Sequence, residues 1–343
     1  MSATNHSPPV TVLMAVYNGE RYLEESVESI LEQEFTDFEF LIVDDASTDG
    51  TAGILEGFDD GRIRVLRNAR NLGLTRSLNR GLKAARGRFV ARLDADDRSR
   101  PARLQKQRDY LESHPECAVV GSHAAYFRPS EVGTRELPRP VSHEEVVAYV
   151  FFSNPFCHSG VMFRARAVRP LGGYDPSFRR AQDYDLWLRV LAHGWRLHIL
   201  PEVLVERRVH GESVSSRQPG ALENCRVRAL QGGLRRMLGM RADADVLALV
   251  QELDVANDPR LGTLQRLRLV LYFWRLYSRF CRIYNGSPRA CRSMAELLGR
   301  LLRRMHPGGG LVLNLTERVV FGRSLSDLPG YLARAGAQWV RGG

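Results

Sequence analysis

The sequence predicts an α/β fold: a mostly parallel sheet flanked by helices, followed by a mainly α-helical C-terminal region. Three observations carry this. Over the first 130 residues, short apolar β-rich runs alternate with amphipathic stretches, as in strands joined by crossover helices. Polar, acid-rich clusters fall just past the ends of those runs. Beyond Ser216 the alternation stops, and arginine-rich helical periods punctuated by Pro219, Pro259, Pro288 and Pro307 take over.

The elements follow in order. Val10 to Val16 is the first strand run, and Tyr22 to Glu32 then carries a helical period. Phe38 to Val43 is the second strand, leading to a helix over Thr51 to Phe58 whose caps are offered by Ser47-Thr48-Asp49-Gly50-Thr51. Ile63 to Leu66 and a helix over Thr75 to Ala85 come next. Arg88 to Leu93 is followed by a helix over Pro101 to Ser113, with Pro101 in a favoured first-turn position. Ala118 to Tyr126 is a further strand. A helix is expected over Ser142 to Val150, an irregular stretch around Asn154-Pro155-Phe156-Cys157-His158, a helix over Asp183 to His193, and a strand-like run from Trp195 to near Val209. The chain thus divides into a flexible N-terminus (1–9), an α/β domain (10–215) and a basic, mainly helical region (216–343).

At 343 residues, 44% apolar and 26% charged, the composition is globular rather than disordered, collagenous or disulfide-dense. The net charge of +10 suggests a nucleic-acid binder until it is split along the chain. Residues 1–214 hold 28 basic and 30 acidic side chains, while residues 215–343 hold 21 and 9, so all the excess lies in the last third. Cys117, Cys157, Cys225, Cys281 and Cys291 are widely spaced and form no Cys-x-x-Cys pair, which reads as buried thiols in a reducing compartment. Met1 to Pro9 lacks the cationic and apolar regions of a secretory signal, and no run of about 18 apolar residues occurs. A cytoplasmic protein is expected.

In open α/β sheets, ligands bind beyond the carboxyl ends of the strands. Three clusters fall there: Tyr17-Asn18-Gly19-Glu20, Asp44-Asp45-Ala46-Ser47-Thr48-Asp49-Gly50 and Asp94-Ala95-Asp96-Asp97. Asp94, Asp96 and Asp97 crowd three carboxylates into four residues, which calls for a counter-charge; hard oxygen ligands beside a pair of phosphates suit Mg²⁺ or Mn²⁺. A bare Asp-x-Asp is most often a solvated loop, and position at a strand end counts against that. One of Asp44 and Asp45 suits a structural role, while the other could accept a hydrogen bond from a nucleobase N–H, because an ionised carboxylate only accepts. Tyr17 offers a face on which the base could stack, or simply packs at the strand end. Asp183 and Asp185 sit where a helix begins, a place the helix dipole favours for acids, and a carboxylate near a diphosphate could instead act as a general base. His210, with Arg208 two residues earlier, could complete a metal shell beside carboxylates.

Taken together these segments resemble the family 2 glycosyltransferases, inverting sugar-nucleotide enzymes of the GT-A fold. The residues that carry the resemblance are Val12 to Glu20, Leu41 to Thr51, Asn71-Leu72-Gly73-Leu74, Leu93 to Asp97 and Gln182 to Arg189, in matching order over residues 10 to 215. The resemblance implies a mostly parallel nucleotide-binding sheet and a nucleoside-diphosphate sugar donor, UDP- or dTDP-linked. Tyr17 and Asp45 would hold the pyrimidine; Asp94 and Asp96 would hold the sugar nucleotide, and Asp96, Asp97 and His210 the Mn²⁺ or Mg²⁺. Ala15, Asn18, Glu20, Asn71, Ala95 and Arg208 would complete the substrate site. Asp183 would be the base that deprotonates a hydroxyl of a glycan or lipid-linked acceptor, in cell-surface polysaccharide or glycoconjugate biosynthesis. Two departures are visible: Ala15 stands where the family often has Pro, and Gln182 where it often has Glu. Neither removes a group the mechanism requires. The Gln-x-x-Arg-Trp signature of processive members is missing, so transfer of one sugar, a hexose or deoxyhexose, per encounter is expected.

Between Leu261 and Tyr284 the helical wheel sets Arg268, Arg275, Arg279 and Arg282 against Leu269, Val270, Phe273, Trp274, Leu276, Tyr277 and Phe280. Such a helix either packs its aromatic face on the α/β domain or lies at an anionic membrane, which would put the protein at the inner face of the plasma membrane. Two other readings compete. A nucleotidyltransferase would need a glycine-rich, basic loop after the first strand, where Tyr17-Asn18-Gly19-Glu20-Arg21 has one glycine and an acid. A nucleic-acid binder would need a zinc, RNA-recognition or zipper motif, and the tail has none.

Overall fold

The computed structural model describes residues 7–128, 135–136, 140–210, 219–255 and 262–305. The expected boundary at residue 216 and the first six residues of the N-terminal segment lie outside them.

The apolar runs become strands because they are wanted on both faces. In β1 (Val10–Val16) and β2 (Phe38–Asp44) all seven residues are buried, as in parallel strands covered by helices on either side. β3 (Ile63–Arg67) and β4 (Phe89–Arg92) complete a parallel set in the order β3-β2-β1-β4. The sheet continues through β8 (Met162–Arg164), β6 (Cys117–Phe127), β9 (Arg196–Arg208) and β5 (Arg98–Ser99), with β7 (Arg135–Glu136) paired to β6. β8 is antiparallel to both neighbours, whereas β9 runs parallel to β6.

Connecting helices α1 (Leu23–Leu31), α2 (Thr51–Glu56), α3 (Leu74–Ala84) and α4 (Arg103–Ser113) fall close to the expected periods. Pro101 lies two residues before α4 rather than in its first turn. α3 approaches β1 through Gly81, where a β-carbon would meet Leu13 Cδ1 at 2.2 Å. β5, β7, β8 and α6 (Ala165–Val168) went unforeseen, since two to four residues carry no readable period. α7 (Gln182–Ala192) follows, buried along most of its length.

Two compact units emerge. One comprises the chain up to His143 with Pro155–Cys225; the other comprises Glu144–Asn154 with the chain from Arg226 onward. The second holds most of α5 (His143–Tyr149), the greater part of α8 (Pro219–Leu238), α9 (Ala244–Val255), α10 (Thr263–Ile283) and α11 (Pro288–Met305). The aromatic face of α10 is buried inside this helical unit. Phe280 meets Phe151 edge-on at 5.9 Å between centroids, and Phe273 lies 6.4 Å from Phe152. Phe151 and Phe152, which precede it by more than a hundred residues, thus share in its apolar cover within that unit, beside α9 and α11. Among the described residues no helix is long and apolar enough to cross a membrane.

Candidate active site

The loops after β1 and β2 are sewn together by side chains that bond the opposite backbone. Asn18 N–H donates to Ser47 Oγ (3.0 Å), while Asn18 Oδ1 accepts Thr48 N–H (2.9 Å). Gly19 N–H reaches Thr51 Oγ1 (2.9 Å), Glu20 N–H reaches Asp49 Oδ2 (3.1 Å), and Glu20 Oε2 accepts Gly50 N–H (2.7 Å). Asn18 and Ala46 are left-handed, at φ 53° and 63°. A β-carbon is disfavoured there, and such strain persists where surrounding bonds over-determine the backbone. The clamp leaves Tyr17 49% exposed at the mouth of a cleft of about 540 Å³.

Asp44 and Asp45 separate in role. Asp44 turns back to cap its own loop, accepting Ser47 N–H at 3.0 Å. Asp45, 3% exposed, accepts Asn68 Nδ2–H (2.6 Å) and Leu72 N–H (2.8 Å) on Oδ1, and Gly73 N–H (2.8 Å) on Oδ2. Gly73 sits at φ 85°, which lets the chain turn into α3 with its amide aimed at that carboxylate. A carboxylate has about four lone-pair positions. Three are taken, and the remaining one on Oδ2 belongs to a residue that lines the cleft.

At the end of β4 the acids are held by a buried cation. Arg92, fully buried, ion-pairs with Asp94 Oδ1 and donates to Leu13 O at 3.2 Å. Burial alone would raise the Asp94 carboxyl, but Arg92, then His158 and the Ser159 hydroxyl, outweigh it and hold it at about 2. Ser159 Oγ donates to Asp94 Oδ2 (2.9 Å) and also bonds Asp97 Oδ2. Asp97 is 2% exposed, its Oδ1 accepts Arg208 N–H (2.9 Å), and burial plus the like charges of Asp96 and Asp94 push its carboxyl up to about 8. Asp96 stands differently: its Oδ2 lies 2.9 Å from His210 Nε2.

α7 begins at Ala181, again left-handed at φ 53°. The next turn separates its two aspartates. Asp185 turns inward to Arg189 Nε (2.7 Å), whose other nitrogens donate to Leu171 O and Gly173 O. Asp183 instead lines the cleft. His158, which also lines it, has Nε2 3.0 Å from the Tyr174 hydroxyl.

The cleft therefore brings together Ala15, Tyr17, Asn18, Asp45, Asn71, Asp94, Ala95, Asp96, Asp97, Asp183, Arg208 and His210. Glu20 is not brought to its lining; its carboxylate belongs to Gly50. The Arg208 guanidinium is ion-paired with Glu25, donates to Asp96 O (3.0 Å) and lies over the Tyr22 ring at 4.3 Å. Cleft residues that sequence reasoning missed include Tyr22, His158, Arg179, Arg180 and Arg207, with Arg92 and Ser159 behind them. The apolar run containing Arg92 and the polar stretch at His158-Ser159 gave no sign of pairing across about 65 residues.

Among the described residues no group of three or more His, Cys, Asp or Glu side chains is gathered as a self-sufficient metal centre. Asp96 and His210 offer an oxygen and an imidazole nitrogen on one side of the cleft, a donor set that fits Mn²⁺ or Mg²⁺ if the rest of the shell comes from phosphate and water.

A parallel α/β sheet with a strand-end acidic cleft and a helical C-terminal unit is the architecture of a GT-A type enzyme. The sequence model described as "Glycosyl transferase family 2" matches residues 11–170. The chain is 41% identical over 219 residues to "Putative glycosyltransferase EpsE" of Bacillus subtilis, covering 62% of this chain and 77% of that one. It is 34% identical to the "Amylovoran biosynthesis glycosyltransferase AmsE" of Erwinia amylovora, over 61% and 79%. The crystal structure of S. aureus TarS 1-349 with UDP-GlcNAc superposes with a TM-score of 0.57 at 16% identity, over 95% and 92%. The chain belongs to the family 2 glycosyltransferases.

Proposed function

We propose that the cleft transfers a single hexose or deoxyhexose, with inversion, from a UDP- or dTDP-linked donor to a hydroxyl of a glycan or lipid-linked acceptor in cell-surface polysaccharide or glycoconjugate biosynthesis. One observation carries the reading: Asp183 lines the same cleft as the Asp94–Asp97 acids, while its neighbour Asp185 is spent on Arg189. Tyr17 stacks the pyrimidine, and Asp45 accepts its N3–H on the lone pair left by Asn68, Leu72 and Gly73. Asp94, kept ionised by Arg92, accepts donor hydroxyls. Asp183 takes the proton of the acceptor hydroxyl as that oxygen bonds the anomeric carbon from the face opposite the departing nucleoside diphosphate. Asp96 and His210, with Asp97 behind them, would hold Mn²⁺ or Mg²⁺, which supplies Lewis-acid neutralisation of the leaving diphosphate.

The test is Asp183→Asn. Release of nucleoside diphosphate to acceptor should fall by about 10²-fold or more, the scale of a positioned general base, while the donor Kd stays within about two-fold. Retained transfer would remove Asp183 from the role.

A cytoplasmic protein touching the inner membrane face is the second part of the reading. α10 carries Arg266, Arg268, Arg275, Arg279 and Arg282 and no acid, and Leu264 and Ile283 remain 68% and 49% exposed on the arginine-bearing side. Basic residues and apolar anchors on one face suit anionic lipid, with about 1 kcal/mol for each basic residue near the surface. Flotation with anionic liposomes should recover the full chain and lose it on Arg275→Glu/Arg279→Glu; equal recovery of both would end this part.

A further inference from the structure

The donor-site reading leaves a fixed, hydrogen-bonding ring in the cleft without a role. His158 opens a 3₁₀ turn (His158–Gly160) between Cys157 and Val161. Its Nε2 lies 3.0 Å from the Tyr174 hydroxyl, with the two rings nearly perpendicular at 78°. Tyr174 is fully buried, and its backbone is pinned from both sides by Asn79: Nδ2–H donates to Tyr174 O (2.7 Å), and Tyr174 N–H donates to Oδ1 (2.9 Å). Asn79 belongs to α3, a helix packed on β1 and β2. The imidazole is thus held to one orientation by a chain of contacts rooted in the sheet. Among the described residues its hydrogen bonding ends at Tyr174, which leaves the other ring nitrogen for a ligand in the cleft that His158 lines.

Placement identifies the ligand. Asp94 and Asp183 both act on His158 electrostatically, and burial, followed by Arg92, lowers its pKa and keeps it neutral. If the diphosphate lies at Asp94–Asp97 and the base is Asp183, the sugar in transit spans the space between them, where His158 stands. A neutral imidazole paired with a rotatable phenol can present Nδ1 either as donor or as acceptor, according to which partner carries the shared proton. A sugar hydroxyl accepts either form.

We propose that His158 hydrogen-bonds a hydroxyl of the sugar being transferred and that Tyr174 is the positioning residue that aims it. The inference rests on the donor-site reading above, and it adds a contact specific to the sugar half of the donor.

Isothermal titration in Mn²⁺ with UDP, dTDP, UDP-glucose, UDP-GlcNAc and dTDP-glucose tests it, each sugar nucleotide being compared with its own parent diphosphate. His158→Ala should weaken the sugar nucleotide about five- to ten-fold, the worth of one neutral hydrogen bond, and leave the diphosphate within about two-fold. His158→Gln, which keeps a donor and an acceptor, should recover most of the loss, and Tyr174→Phe should show a smaller loss of the same kind. Far-UV circular dichroism and Tm check that each variant folds; if Tyr174→Phe does not, the His158 pair decides alone. Equal weakening of diphosphate and sugar nucleotide, or no weakening of the sugar nucleotide, would overturn the proposal. Failure of the wild type to bind any of the five would remove the donor site itself, and this inference with it.

Discussion

Asp45→Asn probes whether the clamp beneath the cleft is a structural device as well as a recognition group. Asp45 receives three N–H donors, two on Oδ1 at 2.6 and 2.8 Å and one on Oδ2 at 2.8 Å. An amide keeps one oxygen. In its better orientation that oxygen retains Asn68 and Leu72, while the new NH₂ group faces the Gly73 N–H. The two retained bonds lose their charge assistance, each passing from about 1.5–3 to about 0.5–1.5 kcal/mol, and the half-buried Gly73 donor is orphaned at about 1–3 kcal/mol. The sum is about 3–6 kcal/mol. For a unit of this size, at about 2–4 °C per kcal/mol, Tm should fall by roughly 6–24 °C. Thermal unfolding followed by near-UV circular dichroism reads this, and hydrogen exchange should speed up first at the Leu72 and Gly73 amides. Binding of UDP should be lost as well. A variant whose Tm stays within about 2 °C of wild type but which no longer binds UDP would refute the clamp and leave Asp45 with recognition alone.

Three further outcomes are expected. The raised carboxyl of Asp97 binds a proton in the folded state that the unfolded chain has released, so between about pH 4 and pH 8 this residue makes stability fall as pH rises; in chelator, Asp97→Asn should gain several degrees of Tm on wild type at pH 8 and little at pH 5, and a pH-independent difference would contradict the assignment. Ala181→Gly relieves the left-handed backbone at the start of α7 and should stabilise the protein by about 1 kcal/mol in urea titration; a loss of stability would mean the Ala181 methyl packs more than it strains. Phe280→Ala opens the core of the helical unit opposite Phe151 and should cost about 3–5 kcal/mol, with the unfolding midpoint of that unit as the readout.

Much of the fold is legible along the chain because it is locally encoded. The mostly apolar runs at Val10–Val16 and Phe38–Val43 read as buried strands, and their ends fall where the polar clusters begin. The short β8 was invisible by contrast, since Met162–Arg164 acquires its meaning from pairing with Phe89–Ala91 and Val119–Val120. The membership of Glu144–Asn154 was equally hidden. Its Phe151 and Phe152 read as an ordinary apolar stretch of the α/β domain, and only long-range packing assigns them to the helical unit.

The sequence by itself determined the fold class, the family and the strand-end positions of the acids, because strand period, helix period and motif spacing are properties of neighbouring residues. Tertiary structure decided where each acid is placed. Asp183 and Asp185 are alike on paper, yet Asp185 bonds Arg189 while Asp183 lines the cleft. Asp94 and Asp97 lie three residues apart, yet Arg92 holds the first ionised while burial beside like charges keeps a proton on the second. Glu20 and Arg208 were both expected at the substrate; the Glu20 carboxylate accepts the Gly50 amide outside the cleft lining, while Arg208 lines the cleft with its guanidinium paired to Glu25. Charge state and availability depend on distance and desolvation, which the fold sets between residues far apart in the chain.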